Sequence, residues 1–230
     1  MLTAEDYISG QVLLIDKLLH WTSFQALNKL RWEIRKAFNI KKIKVGHAGT
    51  LDPLATGLLI ICTGKMTKQI DTFQGQDKEY TGTIVIGSTT PSFDLETEIN
   101  QTFPIEHITE TLIHKTTKRF IGDIEQFPPI FSAIKKDGKR LYEFARAGEN
   151  VEVKAREVHI SEFEITKINL PEVQFRTVCS KGTYIRSLAH DFGKALSSGA
   201  HLSQLRRTKI GGFKVEKAMT PDAFLESIKG

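Results

Sequence analysis

One short segment constrains the fold of this chain more than any other. Residues 44–57 read KVGHAGTLDPLATG and contain three glycines, one proline and a single carboxylate, that of Asp52. Glycine permits positive φ angles and close approach of another backbone, and the Asp-Pro step favours an extended conformation at the aspartate. The segment therefore predicts a loop that holds one carboxylate in a fixed position. Taken alone, the Asp-Pro pair is also typical of a simple turn or a helix cap.

Hydrophobic patterns on both sides of this loop predict helices mixed with strands. Thr22 and Gln25 have capping-box spacing, and the apolar residues after them recur at steps of three and four, which predicts an amphipathic helix over residues 22–38. Further helices are predicted at residues 108–120, at 184–196 and after the Thr220-Pro221 step. Strands are predicted at residues 11–16, 58–62, 78–87, 151–168 and 173–179. Because strands outnumber helices in an irregular order, we predict an α+β fold with a mixed sheet.

Composition narrows the class of protein. The chain has 230 residues, of which 40% are hydrophobic and 26% charged, a balance typical of a globular protein with a core. The aliphatic run at residues 58–62 is too short to cross a membrane, and the N-terminal segment has no signal-peptide pattern. The two cysteines, Cys62 and Cys179, suggest neither a disulfide framework nor a zinc site. We therefore expect a cytoplasmic protein without membrane contact.

Charge is distributed unevenly along the chain. There are 32 Lys and Arg against 27 Asp and Glu, a formal charge of +5. Residues 28–45 contain seven basic residues against Glu33 alone, a second basic group lies at residues 206–217, and residues 79–114 contain no Lys or Arg. This asymmetry favours a polyanionic partner such as nucleic acid, although a solvated helix surface gives the same pattern.

The loop around Asp52 resembles the motif G-H-x-G-T-L-D-P-x-A-x-G of the TruB family of tRNA pseudouridine-55 synthases. Further matches occur in the family's order as LIDK (14–17), TS (22–23), GKMTK (64–68), KEY (78–80), QFPPIFSAIK (126–135), YEFAR (142–146), SKGTYIRSL (180–188), LRR (205–207) and GF (212–213). Leu18 and His20 depart from the family's usual Pro and Gly. The resemblance therefore extends over residues 11–213.

The resemblance implies an isomerase that converts uridine 55 in the T-loop of tRNA to pseudouridine after flipping the base out. The expected architecture is the pseudouridine synthase fold, a central mixed, mainly antiparallel sheet flanked by helices and loops. It implies a catalytic domain at 1–213 with a thumb-like insertion at about 124–150, and a short C-terminal tail or helix at 214–230 without a full PUA domain. Expected partners are the T-arm of tRNA and no obligate protein, with the enzyme a monomer. No metal or organic cofactor is expected.

The resemblance also assigns residues. The catalytic assignments are Asp52 as the essential carboxylate, Tyr80 against the uracil ring and Arg186 as the partner of the aspartate. The RNA-binding assignments are His47, Lys44, Lys65, Lys135, Tyr184, Arg146, Arg206 and Arg207, and Asp94 is a further candidate. Three chemical routes stay open for the carboxylate: attack on the base, attack on the ribose, or removal of a ribose proton.

Two other functions compete with this one. An RNA-binding or RNA-folding module would use the same basic clusters without turnover, and a guide-RNA-dependent synthase would share the catalytic motif. Substitution of Asp52 separates binding from catalysis, since only an enzyme needs the carboxylate.

Overall fold

The computed structural model describes residues 2–149 and 151–229. The helices are α1 (Ala4–Ser9), α2 (Ser23–Ala37), α3 (Ile70–Gly75), α4 (Glu110–Thr117), α5 (Leu141–Arg146), α6 (Ile185–Ala195) and α7 (Pro221–Lys229). The longer strands are β1 (Val12–Lys17), β2 (Val45–His47), β3 (Ala55–Thr63), β4 (Lys78–Ile86), β7 (Gly122–Gln126), β10 (Arg156–Asn169), β11 (Glu172–Cys179) and β12 (Ala200–Ile210). Two-residue strands are β5 (Ser88–Thr89), β6 (Gln101–Thr102), β8 (Lys135–Lys136), β9 (Lys139–Arg140) and β13 (Phe213–Lys214). Within those residues, no helix combines the length and the apolar character needed to span a bilayer.

The chain divides into two compact units. The first contains the chain up to Tyr80 together with the chain from Leu205 onward, and the second is Thr81–Gln204. The chain passes from one unit to the other within β4 and within β12.

In the first unit, β3 is the central strand. β1 pairs antiparallel along one edge of β3, from Val12 opposite Cys62 to Lys17 opposite Gly57. On the other edge, β2 pairs antiparallel with residues 61–63, and β12 pairs in parallel with residues 55–57. Both edges of β3 are therefore covered, which suits its nearly continuous apolar sequence.

Side chains from β3 enter two apolar clusters. Leu59 and Ile61 pack with α2 and α7, while Leu58 and Ile60 belong to a cluster with Ile210 of β12. A strand buried on both faces does not show the alternation of a half-exposed strand. This burial explains why its sequence is a continuous aliphatic run.

In the second unit, the order of neighbouring strands is β4, β11, β10 and β7, with β12 on the other edge of β4. β10 is antiparallel to both β11 and β7. Phe120, Phe163, Phe175 and Phe192 make edge-on ring contacts at centroid distances of 5.4–6.2 Å. These rings join β10 and β11 to α6 in the core of this unit.

The predicted α+β class, with a mixed and mostly antiparallel sheet, is confirmed. The helix predicted at 22–38 occupies Ser23–Ala37, and Thr22 and Gln25 form the expected reciprocal capping box. Thr220 caps α7, since its Oγ1 accepts from the Ala223 amide at 3.2 Å. The strand predicted at 151–168 begins at Arg156, and the predicted 108–120 helix is α4 followed by a 3-10 turn at Lys118–Phe120. The sequence patterns did not reveal α1, β7 or the eleven-residue strand β12.

Candidate active site

The loop that contains Asp52 is held at its preceding residue by α2. Ser23, in the first turn of α2, is buried, and its Oγ donates to the Leu51 carbonyl (3.1 Å) and accepts from the Leu51 amide (2.8 Å). The Asp52 carbonyl accepts from the Ala55 amide at 3.0 Å, which closes a turn at the Asp-Pro step. Main-chain bonds on both sides of the carboxylate therefore limit where its side chain can lie.

Arg207 supports the same loop from β12. Only 1% of this residue is exposed, and its guanidinium donates to the carbonyls of Leu58 (2.8 Å), Thr50 (3.3 Å) and Gly49 (3.1 Å). The structure thus places Arg207, which the motif match assigns to RNA, inside the protein against backbone carbonyls. We propose a positioning role for it instead of RNA contact.

Gly57 permits the close approach of β12 to this loop. Its φ is +103°, and a Cβ at this position would lie 2.3 Å from the Arg207 carbonyl oxygen. Because that distance is far below van der Waals contact, a larger residue would displace β12 and with it the Arg207 guanidinium. The motif's final glycine is therefore explained by packing.

Lys17 is a charged group near Asp52 that the sequence analysis did not assign. It is 1% exposed at the end of β1, and its Nζ donates to the carbonyls of Leu18 (2.9 Å) and Trp21 (2.6 Å). Burial lowers the pKa of its ammonium to about 8; the positive charge of Arg207 lowers it further, whereas the Asp52 carboxylate opposes both. The first unit thus brings Asp52, Lys17 and Arg207 within electrostatic reach of one another.

His47 lies on β2 beside the same charges. Burial and then the charge of Arg207 lower the pKa of its imidazole, so the ring is neutral at pH 7. Its Nδ1 is buried and has no hydrogen-bond partner within the described part of the chain. A neutral, flat ring of this kind can stack on a base.

Tyr80 is buried near the start of β4, with 8% of its surface exposed. The preceding residue, Glu79, is fixed by β12: its carboxylate accepts from Thr208 Oγ1 at 2.7 Å and from Lys209 Nζ at 2.9 Å. These bonds hold the main chain next to the tyrosine in place.

In the second unit, Arg186 lies in the first turn of α6 and is also buried, with 4% exposed. Its Nη1 donates to the Ser92 carbonyl at 3.2 Å, and its Nε lies 3.7 Å from Oδ2 of the buried Asp94. The structure therefore pairs Arg186 with Asp94, the further candidate of the sequence analysis. One helical turn later, His190 stacks on Phe93 with ring centroids 3.8 Å apart.

Tyr184 precedes α6 and is held through its backbone. The buried Gln126 side chain accepts from the Tyr184 amide (2.7 Å) and donates to its carbonyl (3.1 Å). Ser187 Oγ donates to the Phe127 carbonyl at 2.7 Å, and the Arg156 guanidinium lies 5.6 Å from the Tyr184 ring centroid. Hydrogen bonds therefore connect residues 126–127 with residues 184–187, and both segments match the family's sequence.

The other assigned basic residues differ in exposure. Lys44, Lys65 and Lys135 are exposed. Arg146 is exposed but forms an ion pair with Glu96 at 2.9 Å, and Arg206 is half-buried in a two-bond ion pair with Asp16 at 3.0 and 2.7 Å. Across residues 2–149 and 151–229, no group of three or more His, Cys, Asp or Glu side chains is arranged to hold a metal ion.

Two family models match adjacent segments of the chain, which together cover residues 35–229. The TruB family pseudouridylate synthase N-terminal domain matches residues 35–185, and the tRNA pseudouridylate synthase B C-terminal domain matches residues 186–229. The chain belongs to the TruB family of pseudouridylate synthases. This confirms the family resemblance and shows that the chain is an enzyme, an isomerase of the TruB type.

Curated TruB relatives match over nearly their whole length. The tRNA pseudouridine synthase B of Flavobacterium johnsoniae is 66% identical over 99% of this chain and 100% of its own. That of Phocaeicola vulgatus is 57% identical over 96% of this chain and 94% of its own.

Solved structures share the TruB fold. A chain in the crystal structure of a Cbf5-Nop10-Gar1 complex is 30% identical with a TM-score of 0.72, covering 97% of this chain and 56% of that one. An H/ACA RNP bound to a substrate RNA containing 2′-deoxyuridine gives 28% identity and a TM-score of 0.68, covering 96% and 53%. The predicted pseudouridine synthase fold is confirmed.

Proposed function

We propose that this TruB enzyme converts uridine 55 in the T-loop of tRNA to pseudouridine, with Asp52 as the essential carboxylate. The choice of tRNA is supported by the curated relatives, which are named tRNA pseudouridine synthase B at 66% and 57% identity. The choice of position 55 is supported by the motif match around Asp52.

The observation that carries the proposal is the support given to the Asp52 loop. Ser23 binds both polar groups of the Leu51 backbone, and the Arg207 guanidinium binds the carbonyls of Gly49 and Thr50. A group that reacts must be held close to its productive position before the substrate arrives. A simple turn would not need a fully buried arginine on its carbonyls, since removing such a charge from water is costly.

The reaction is an isomerisation, so the product contains the same atoms as the substrate and no oxidant or reductant is needed. The bond between ribose carbon 1′ and uracil N1 breaks, and a bond between carbon 1′ and uracil carbon 5 forms. Carbon 5 loses its proton, and N1 gains one. An ionised carboxylate can act in this exchange as a nucleophile or as a base. The Asp52 carboxylate acts on the buried ammonium of Lys17, whose pKa it raises against the effect of burial.

The remaining assignments are proposals that follow from the motif match. Tyr80 is assigned to the uracil ring and Arg186 to the catalytic carboxylate. Extrusion of uridine 55 costs a few kcal/mol of unstacking, and the neutral His47 ring is proposed to occupy the space among the flipped nucleotides. The exposed Lys44, Lys65 and Lys135 are proposed to contact phosphates.

At the level of the whole chain, we propose a catalytic domain at 1–213 with a thumb-like insertion at 124–150 and a tail at 214–230. The enzyme is proposed to act as a cytoplasmic monomer without a guide RNA.

The test is to map pseudouridine by position in an unmodified tRNA transcript incubated with the purified protein and no other RNA. We expect conversion at position 55 by the wild type, none by Asp52→Asn, and none in a transcript with cytidine at position 55. Asp71→Asn is the matched control, because Asp71 is an exposed aspartate of the same unit.

Each other outcome has a definite meaning. Conversion by Asp52→Asn would show that the reaction does not need the carboxylate. Conversion at another uridine would show that position 55 is not the target. RNA binding without conversion by the wild type favours an RNA-binding module, and conversion only after a guide RNA is added favours a guide-dependent synthase.

A further inference from the structure

The solvent side of α2 exposes two large aromatic side chains. Phe24 is 64% exposed and Trp32 is 53% exposed, while Leu27, Leu30 and Ile34 on the opposite side are buried. Large aromatic side chains normally contribute to a core or an interface, because each has a large apolar surface to remove from water. This side of α2 therefore requires an explanation beyond the packing of the helix.

The indole of Trp32 is surrounded by cations. Lys36 Nζ lies 4.9 Å and Lys29 Nζ 5.6 Å from the ring centroid. Lys29 also forms an ion pair with Glu33 at 2.9 Å, and the Glu33 carboxylate is itself nearly buried. Trp32 stays half exposed although both lysines lie over it, so the lysine side chains do not simply cover the ring.

The charge around this ring is strongly positive. The neighbouring exposed basic residues on α2 and the segment after it are Arg31, Arg35, Lys36, Lys41 and Lys42. None of these five side chains has a carboxylate within ion-pair distance among the residues that the structure describes. Protein interfaces are depleted in lysine, whereas an exposed aromatic ring among Lys and Arg is typical of surfaces that bind single-stranded nucleic acid.

We propose that Trp32 and its flanking lysines form an RNA contact in addition to the active site. The indole stacks on an unpaired base of the substrate tRNA, and the Lys29 and Lys36 ammonium groups leave the ring for the adjacent phosphates. This inference rests on the proposed function, because it takes tRNA as the substrate.

The position of the contact gives it a role in placing the substrate. α2 also supplies Ser23, whose two hydrogen bonds hold Leu51 beside Asp52. A base stacked on Trp32 would therefore be fixed to the same helix that supports the catalytic loop. The contact sets the position of bound tRNA relative to Asp52.

Tryptophan fluorescence provides a direct test, because the chain has only Trp21 and Trp32. Trp21→Phe with Asp52→Asn leaves Trp32 as the only indole and removes the proposed turnover. On titration with unmodified tRNA transcript, we expect strong quenching that saturates with the RNA binding measured by filter retention. Heparin, which has charge but no bases, should bind without comparable quenching.

Affinity gives a second measurement with a matched pair of variants. Trp32→Ala should weaken tRNA binding about tenfold or more, the loss of one stacked base, while Trp32→Phe should lose less because a ring is retained. If Trp21→Phe does not fold, the change in emission on adding tRNA is measured for Asp52→Asn and for the double variant Asp52→Asn, Trp32→Phe. The difference between the two changes is the quenching of Trp32.

Pseudouridine formation by the Trp21→Phe protein with Asp52 intact is measured in parallel, so that the two proposals fail separately. Conversion at position 55 with no change in Trp32 emission on bound tRNA would overturn the stacking contact and leave a protein as the partner of this surface. Quenching without conversion would support the contact and overturn the proposed reaction.

Discussion

At the scale of single residues, the loop around Asp52 depends on buried groups that do not themselves need to touch substrate. Ser23 is the clearest example, since its hydroxyl satisfies both the amide and the carbonyl of Leu51. A hydroxyl that satisfies two buried backbone groups fixes them in place and leaves both unsatisfied when it is removed.

Ser23→Ala should therefore lower both stability and rate. We expect a loss of about 1–3 kcal/mol in the free energy of unfolding from two unsatisfied backbone groups. Because Asp52 directly follows Leu51 in the chain, the rate constant for pseudouridine formation in single-turnover experiments should fall roughly tenfold at saturating enzyme. Ser9→Ala, which removes an exposed hydroxyl on α1, is the control. An unchanged single-turnover rate in the folded variant would show that Ser23 serves stability alone.

Arg207 provides a test between positioning and RNA contact. Its guanidinium binds three carbonyls at 2.8–3.3 Å, and a lysine cannot reproduce that planar arrangement of donors. Arg207→Lys should lower the free energy of unfolding by about 3 kcal/mol and leave the salt dependence of tRNA binding unchanged. Lys65→Gln, which replaces an exposed lysine, should leave the free energy of unfolding unchanged and reduce the salt dependence of tRNA binding. If Arg207→Lys keeps full stability but binds tRNA less tightly, the RNA assignment of Arg207 is the correct one.

At the scale of secondary-structure elements, α6 places His190 one turn after Arg186 and against Phe93. Burial, and then the positive charge of Lys194, lower the pKa of His190 to about 4 from its ordinary value of 6.5. The unfolded chain therefore takes up a proton near pH 6.5, whereas the folded chain does so only near pH 4. Because the unfolded state binds more protons in this interval, stability falls as the pH falls through it.

The contribution of His190 to acid unfolding should be measurable. Between pH 6.5 and 4 it should remove about 2–3 kcal/mol from the free energy of unfolding, at 1.36 kcal/mol for each pKa unit. In urea unfolding at a series of pH values, His190→Gln should be less stable at pH 7, because the ring contact with Phe93 is lost, but should show a shallower decline below pH 6.5. His114→Gln, at an exposed histidine, is the control. Parallel curves for the wild type and His190→Gln would contradict this account.

The elements differ in how well local sequence predicts them. α2 was predictable because its cap, Thr22 with Gln25, and its apolar spacing are both local. β12 was not, because most of its residues are polar or basic and its strand conformation depends on β3 and β4, more than a hundred residues away.

The same distinction applies to the candidate site. Asp52 was recognisable from its motif, since the glycines and the proline beside it are adjacent in sequence. The burial of Arg207 was not, because the carbonyls that bind its guanidinium belong to residues about 150 positions earlier in the chain. A basic residue among other basic residues has the pattern of an exposed surface until its tertiary partners are known.

At the scale of the whole molecule, positive charge is concentrated in two stretches of sequence, at residues 28–45 and 206–217. In the second stretch, Arg207 is buried, and the partly exposed Arg206 and Lys209 form ion pairs with Asp16 and Glu79. The exposed charges of the first stretch are therefore expected to dominate the electrostatic attraction of RNA.

Salt dependence tests this expectation. Binding of tRNA to Asp52→Asn should weaken by roughly 10³-fold between 50 and 200 mM salt, as about six phosphate contacts would require. Replacing both Lys41 and Lys42 with Gln should reduce the slope of log affinity against log salt by about 1.8, or 0.9 for each lost contact. Replacing Lys115 and Lys118, exposed lysines of the second unit, should leave the slope unchanged. Equal slopes for the two double variants would place the RNA on a different surface, because counterion release counts only the cations that meet phosphates.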